Sequence, residues 1–473
     1  MIDRFFKQRL RNTPWVVCCV CVALASFPID TVANERPNVL VIVADDLGYH
    51  DVGFNGLDDF STPNIDRLAG DGVICRNGYA SHPYCAPTRA GLMTGRYQHR
   101  FGFEGNPAKG DVVNGLPASE TTLADRLATA GYETVGIGKW HLGEGKHHHP
   151  VRRGFDSYFG FLEGSRSYFK TDCQWLSLGD NDTIESRAPL PTSRNDYLTD
   201  LLTDEAVAFI QRPRDKPYFM YLAYNAPHTP MQATQSWLDR VPDISDKKRR
   251  TYAAMVTALD DGIGRVRAAI AEQGETDQTL VFFFSDNGGI TPVNAASNEP
   301  FSGMKGTLLE GGIHVPYVVS WPGKVPAGTE YKPGVMTFDV FATACGAAGV
   351  SDIDDSLDSV DLVPFLAGES SGHPHDVLYW RTGQGFQLSA RKGPHKFLHV
   401  HGTDDRVFDL SRDVTESRPG VAVKPADADA LGQSAREWSG GLPESTFTGH
   451  GLKHEAQWRA LGLTSPPDTD MSP

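Results

Sequence analysis

Cysteine, positive charge and long apolar runs are scarce in this sequence, and each shortage excludes a class of protein. Seven cysteines in 473 residues are too few for a disulfide-built scaffold. Three of them, Cys18, Cys19 and Cys21, fall near the N-terminus, leaving Cys75, Cys85, Cys173 and Cys345 with no pairing that spacing dictates. Lysine and arginine total 44 against 59 acidic residues, a formal charge of −15, so no nucleic-acid partner held by a general basic surface is expected. An anionic substrate is still compatible, because a distant surface field is screened over roughly 10 Å and a few local cations outweigh it. No apolar run reaches the roughly 20 residues needed to span a bilayer, and no stable membrane span is expected of the mature chain. There is no internal repeat.

What stands at the N-terminus reads as an address. Arg4, Lys7, Arg9 and Arg11 form a positive region, residues 15–25 a short apolar core, and Thr31-Val32-Ala33 a small-residue cleavage site. Residues 1–33 are therefore expected to be a signal peptide, making the mature protein secreted or periplasmic. The remainder, in a chain 40% hydrophobic and 22% charged, has the make-up of a soluble globular enzyme with a large core.

Downstream, apolar runs alternate with helical patterns, as in an α/β sheet whose ligands bind at the carboxyl ends of its strands. Residues 37–44 end in Asp45-Asp46, residues 132–137 lead to Lys139 and His141, residues 218–223 to His228, and residues 280–285 to Asp286-Asn287-Gly288-Gly289. Asp45, Asp46, Asp286 and Asn287 are oxygen donors suited to a hard cation, Ca²⁺ or Mg²⁺, and poor for Zn²⁺; turn and capping residues are the plain alternative. Lys139 and His141 are two apart, so an extended backbone would aim both to one side. The triplet His147-His148-His149 has no second ligand pair and is expected in a solvated or substrate-facing loop. Residues 152–194 gather Tyr158, Phe159, Phe161, Tyr168 and Phe169 with Arg166 and Lys170, either a sugar platform or the packing of a long insertion. Tyr252, Met255, Val256, Leu259, Ile263, Val266 and Ile270 mark a core-facing helix. Beyond about residue 366 short runs predict a small antiparallel sheet, and the last sixty residues read as partly irregular.

The stretch His82-Pro83-Tyr84-Cys85-Ala86-Pro87-Thr88-Arg89 delivers a cysteine to the start of a helix, since Pro87 suits a first turn and the free N–H groups there favour an anion. By itself Cys85 could be a reactive thiol. Cys85-x-Pro87-Thr88-Arg89 with Leu92 and Thr94-Gly95-Arg96 resembles the signature of the type I sulfatases. Gly138-Lys139-Trp140-His141-Leu142-Gly143 and Lys305-Gly306 follow in the family's order, so the resemblance covers nearly the whole mature chain.

That resemblance implies a large mixed, mostly parallel sheet flanked by helices, alkaline-phosphatase-like, over residues 34–365, and a smaller antiparallel subdomain over 366–473. It implies that a formylglycine-generating enzyme oxidises Cys85 to formylglycine, whose hydrated form attacks a sulfate ester of a carbohydrate or aryl alcohol. Position 85 joins Asp45, Asp46, Asp286 and Asn287 at the cation; Lys139 and Lys305 hold sulfate oxygens; His228 protonates the leaving alcohol. His141 deprotonates the second hydroxyl, Arg89 steadies the hydrated residue, and Asp286 doubles as a base. Thr88 stands where serine is commoner and His314 where arginine is usual. Zinc phosphatases of the superfamily would continue with histidine after Asn287, where this chain has glycine. A phosphodiesterase or phosphonate monoester hydrolase with the same nucleophile, and an inactive sulfated-glycan binder, are the alternatives.

Overall fold

β-Branched and aromatic residues without polar interruption favour strands covered on both faces. Asn38–Ala44 (β1) is such a strand, with all seven residues buried. Its odd residues Val39, Val41 and Val43 join one apolar cluster, and Leu40, Ile42 and Ala44 join another on the opposite face, the two-residue period of a pleat. The computed structural model describes residues 36–187, 196–352, 356–420 and 423–447; the expected leader at 1–33 and the end of the tail lie outside the described residues.

The other strands of the large sheet are Val73–Tyr79 (β2), Glu133–Lys139 (β3), Ser157–Phe161 (β4), Trp175–Leu178 (β5), Ile184–Ser186 (β6), Tyr218–Ala223 (β7), Thr279–Ser285 (β8), Tyr317–Ser320 (β9) and Thr329–Met336 (β10). Their order is β10-β2-β9-β8-β1-β7-β3-β4-β5-β6. β1 lies parallel to both β7 and β8, with Val41 opposite Tyr221 on one side and Phe282 on the other. β3 runs parallel to β7 and β4, while β9 and the outer strands β5 and β6 are antiparallel to their neighbours. This is the mixed, mostly parallel sheet that was expected. A separate antiparallel sheet follows, Leu378–Thr382 (β11), Gln387–Lys392 (β12), His395–Val400 (β13) and Arg406–Asp409 (β14).

Helices cover both faces. Lys247–Glu272 starts at Asp246, whose side chain accepts the Arg249 N–H, and buries Tyr252, Met255, Leu259, Ile263 and Ile270 against the Leu40 face of β1. Cys85–Thr94, Leu123–Thr129 and Asp339–Ala347 lie on the Val41 face.

Several elements depart from the sequence reading for identifiable reasons. β2 carries Arg76 and Asn77, half-exposed, which hides its period. β10 holds Pro333 and Gly334 and is tolerated because it is an edge strand. The insertion at 152–194 contributes β4, β5 and β6. Within the stretch read as irregular, Pro425–Gly440 is a helix that buries only Leu431, Gly432 and Ala435, too thin an apolar stripe to register. Among the described residues no helix is long and apolar enough to cross a membrane.

Leu259 is fully buried in the core helix. Leu259→Ala is expected to lower the unfolding free energy by about 2–5 kcal/mol, read as a drop in the urea midpoint; a change below about 0.5 kcal/mol would contradict this packing.

Candidate active site

Parallel register brings the carboxyl ends of β1, β7, β8 and β3 to one edge. Ala44 pairs with Ser285, and the next residues lock together: the Asp286 N–H donates to Ala44 O and the Asp45 N–H to Ala226 O, each at 3.0 Å. Asp45, Asp46, Asp286 and Asn287 all emerge here, fully buried. Asp46 has φ 63°, a conformation that aspartate tolerates better than most residues. It turns the second carboxylate back into the same space.

β2 leads through an extended Tyr84 into the helix Cys85–Thr94, all ten residues of which are buried. Cys85 Sγ lies 3.5 Å from Asp45 Oδ1 and 3.9 Å from Asp46 Oδ1. The Ala86 N–H at this helix start donates to Asn106 Oδ1 at 3.0 Å. One turn on, Arg89 donates from Nε and one terminal nitrogen to Asp286 Oδ2 at 3.0 and 2.8 Å, and from the other to Lys139 O and Tyr221 Oη at 3.1 Å. Planar guanidinium geometry suits this many-sided role.

Three fixed cations meet the carboxylates. Lys139 Nζ is 2.6 Å from Asp45 Oδ2, Lys305 Nζ is 2.6 Å from Asp46 Oδ1 and 2.9 Å from Cys85 Sγ, and Arg89 is 3.8 Å from Asp45 Oδ1. Burial pushes the Asp45 and Asp46 carboxyls up, but Lys139, Arg89 and His228 around Asp45, and Lys305 and His228 around Asp46, outweigh it and hold both below the ordinary carboxylate value. Burial would lower Lys305, yet Asp46 with Cys85, Asp45 and Asp286 holds its ammonium well above the usual range. The Cys85 thiol is pushed up, first by burial and then by Asp286, against the opposing pull of both lysines.

Of the histidines, His228 Nε2 stands 3.5 Å from Asp46 Oδ2, and Nδ1 is 2.6 Å from Thr229 O. That contact assigns the hydrogen to Nδ1 in the neutral ring and turns Nε2 towards the carboxylates. His141 is buried but has φ 60°, so the extended alternation expected from Lys139 to His141 breaks there. Lys139 still belongs to β3, whereas His141 is turned by its own backbone. A methyl group on Gly164 would lie 2.4 Å from His141 Nε2, so this glycine makes room for the ring.

The donor set fits a hard cation. Asp46 Oδ2 and Asn287 Oδ1 are buried oxygens with no hydrogen-bond partner, a costly state unless something positive meets them. Asp45, Asp46, Cys85 and His228 offer ligand atoms within 4.8 Å of one another, which adds His228 to the carboxylates and cysteine singled out from the sequence.

Other expectations are corrected. His148 is no loose loop side chain: its ring nitrogens are 3.1 Å from Leu116 O and Val113 O, and His149 is buried, its ring accepting the Val151 N–H. Among the suggested platform aromatics Tyr158, Phe159, Phe161 and Tyr168 are buried and only Phe169 is exposed, so most of that set is packing. His314 stacks on Phe301 at 4.3 Å and meets Glu310 Oε2 at 2.9 Å, away from the carboxylate cluster. The cysteines at 75, 85, 173 and 345 are free and buried.

Sequence reasoning missed Asn106 and Tyr221, and it offered Tyr168 only as a sugar-platform aromatic. Tyr168 Oη donates to Asn225 O and His228 O at 2.6 and 2.8 Å, holding the turn that carries His228. Strand parity places Tyr221 on one face of β7, but nothing local announces its bond to Arg89.

The fold, with this cluster at the carboxyl edge of its central strands, is that of the alkaline-phosphatase-like hydrolases. More narrowly, the chain belongs to the sulfatase family, whose family model matches residues 37–350, and it is a sulfatase. It is similar to the human N-acetylgalactosamine-6-sulfatase, 34% identical over 386 residues that cover 77% of this chain and 72% of the relative. The uncharacterized sulfatase YdeN of Escherichia coli strain K12 is 30% identical over 449 residues, 81% of this chain and 76% of the relative. Among solved structures, that of Ps i-CgsB in complex with k-i-k-neocarrahexaose has a TM-score of 0.80 at 34% identity, covering 90% of this chain and 98% of that one.

Burial, together with Lys139, Arg89 and Lys305, holds the His141 imidazole well below its ordinary value. A histidine neutral when folded contributes stability that is fully present above its unfolded value and is lost as pH falls towards the folded one. Between about pH 7 and about pH 5, His141→Gln is therefore expected to lose less unfolding free energy than the parent, measured by urea unfolding at both pH values. Equal losses would contradict a buried neutral imidazole.

Proposed function

We propose that this sulfatase releases sulfate from a sulfated carbohydrate through a formylglycine made from Cys85, with one divalent cation, Ca²⁺ in preference to Mg²⁺, held by Asp45, Asp46, Asp286, Asn287 and position 85. The observation that carries the reading is the setting of Cys85 Sγ, 3.5 Å from a carboxylate oxygen and 2.9 Å from the Lys305 ammonium. With its thiol pushed up by burial, the cysteine is a poor nucleophile as encoded; the place suits an oxygen nucleophile between a cation site and an anion holder. A hydrated formylglycine supplies two hydroxyls on one carbon, one to take the sulfate and one to expel it. The cation supplies Lewis-acid polarisation of the nucleophile and of the charge that develops on sulfate.

The chain's own residues do the rest. Lys139 and Lys305, fixed by Asp45 and Asp46, bind sulfate oxygens as preorganised charges. Arg89 fixes Asp286 through two hydrogen bonds and steadies the nucleophile beside it. Asp286 offers the cation its other oxygen, which also accepts the Asp46 N–H at 3.3 Å, and serves as a base. His228, acting as the imidazolium with protons on both ring nitrogens, gives the Nε2 proton to the leaving alcohol and returns to the neutral ring held through Nδ1. His141, kept neutral by its surroundings, takes the proton from the second hydroxyl. Substrate class follows from the relatives: one is named an N-acetylgalactosamine-6-sulfatase and one was crystallised with k-i-k-neocarrahexaose. Aryl sulfates are the expected artificial substrates. The expected signal peptide at residues 1–33 sends the protein to a secreted or periplasmic location in this reading, after modification by a formylglycine-generating enzyme. Residues 34–365 carry the chemistry and residues 366–473 support it.

Co-expressed with that modifying enzyme, the protein is expected to show formylglycine at position 85 by peptide mass spectrometry and to release sulfate from 4-nitrophenyl sulfate and sulfated oligosaccharides. Cys85→Ala is expected to lose at least about 10³-fold in kcat. A fully active protein whose Cys85 is an unmodified thiol throughout would refute the mechanism. Faster turnover of 4-nitrophenyl phosphate or phosphonate esters would favour a phosphorus substrate, and glycan binding without sulfate release an inactive binder.

A further inference from the structure

The segment that carries Lys305 is gripped from the small C-terminal sheet by one side chain. Gln387, the first residue of β12, is buried. Its Oε1 accepts the Leu308 N–H at 3.0 Å, while its Nε2 donates to Gly306 O at 2.9 Å and to Thr382 Oγ1 at 3.2 Å. The backbone partners fix which end of the amide is which, since the flipped rotamer would set donor against donor and acceptor against acceptor. Gly306 follows Lys305 directly, has φ 88°, and its N–H donates to Pro83 O at 2.9 Å, two residues ahead of Cys85. The Lys305 N–H reaches Gly289 O at 3.3 Å. Residues 305–308 are thus pinned to the cysteine loop and the β8 turn on one side and to Gln387 on the other.

A second grip lies a few residues on. Lys396 Nζ of β13 sits 2.8 Å from both Glu310 Oε1 and Glu416 Oε1, and Glu310 Oε2 accepts from Tyr79 Oη at 2.5 Å. All three charged side chains are at most 1% exposed. A buried ionic network of this kind adds little net stability but permits few alternative arrangements. The C-terminal sheet therefore shares with the cysteine loop and the β8 turn in fixing the path of the chain from Lys305 to Glu310, and with it where the Lys305 ammonium stands relative to position 85.

We infer that Gln387 is a positioning residue for Lys305, so that the small sheet acts on the sulfate-binding geometry through the Lys305 segment. The inference rests on the reading that Lys305 holds sulfate. Two variants test it on the full chain: Gln387→Glu, which keeps the acceptor for Leu308 N–H and places an oxygen against Gly306 O, and Gln387→Met, which removes all three bonds of the amide. Each is assayed with 4-nitrophenyl sulfate in the parent and in a Lys305→Ala background, with the modified fraction at position 85 matched by mass spectrometry and folding checked by urea unfolding. Should Gln387→Met fail to fold, Gln387→Glu supplies the same comparison, and Thr382→Val, which removes only the side bond to Nε2, serves as the mild form.

In the parent background kcat/KM is expected to fall roughly 10- to 100-fold, with weaker inhibition by inorganic sulfate. In the Lys305→Ala background the same substitutions are expected to change kcat/KM by less than about threefold, the non-additivity of residues acting as one unit. Equal falls in both backgrounds, or no fall in the parent while Lys305→Ala is impaired, would overturn the positioning role. An unimpaired Lys305→Ala would overturn the sulfate-binding reading of Lys305 and the clamp with it.

Discussion

Two adjacent carboxylates buried at the end of the central strand are the constraint that the rest of the site answers. Neither Asp45 nor Asp46 has access to solvent, and an ionised carboxylate in that position is tolerated only when paired and hydrogen-bonded. Lys139 from β3, Arg89 from the cysteine helix and Lys305 from the segment after β8 supply the pairing. Because these residues come from four parts of the chain, the sheet order β8-β1-β7-β3 is what lets the charges meet. The requirement works in both directions: the fold places the cations, and the cations let the carboxylates stay ionised in the core.

In the proposed mechanism the charge balance lets one cluster serve a cation and an anion together. Asp45, Asp46 and Asp286 bring three negative charges, and Arg89, Lys139 and Lys305 bring three positive ones, all of them buried. A divalent cation alone would leave the pocket positive, and a sulfate ester alone would leave it negative. Entering together they nearly cancel, which links the occupancy of the two in the proposed mechanism. Asp46 Oδ2 and Asn287 Oδ1 stand without hydrogen bonds, while Lys305 is already held 2.9 Å from Cys85 Sγ and Lys139 against Asp45, so in the proposed mechanism little reorganisation is needed on binding. Support for the site extends well beyond it, to Tyr168 beneath the His228 turn and to Gln387 behind Lys305.

Much of this was legible in the sequence, and the boundary of legibility has a physical cause. Uninterrupted apolar strands such as β1 and β8 announce themselves, and so do the polar residues that follow them, because a buried strand must end where polar groups can be used. The large helix at Lys247–Glu272 is equally plain from its period. Edge elements were not: β10 contains proline and glycine, and the helix at Pro425–Gly440 buries few residues. Within the site, residue types and chain order pointed to the carboxylates and lysines, but not to the backbone turn at His141, whose φ of 60° breaks the expected alternation. Least legible were the long-range hydrogen bonds of Tyr168, Tyr221 and Gln387, which join residues more than fifty positions apart and leave no local pattern. The aromatic residues of the insertion show the opposite error, since most of a set that looked fit for sugar stacking is packed inside.

Calcium titration of the chelator-treated, full-length protein by calorimetry tests the charge-balance account most directly. The account predicts one ion bound per chain, tighter in the presence of inorganic sulfate, and binding lost in Asp46→Asn. Absence of calcium and magnesium binding, or binding that neither Asp46→Asn nor sulfate alters, would contradict it.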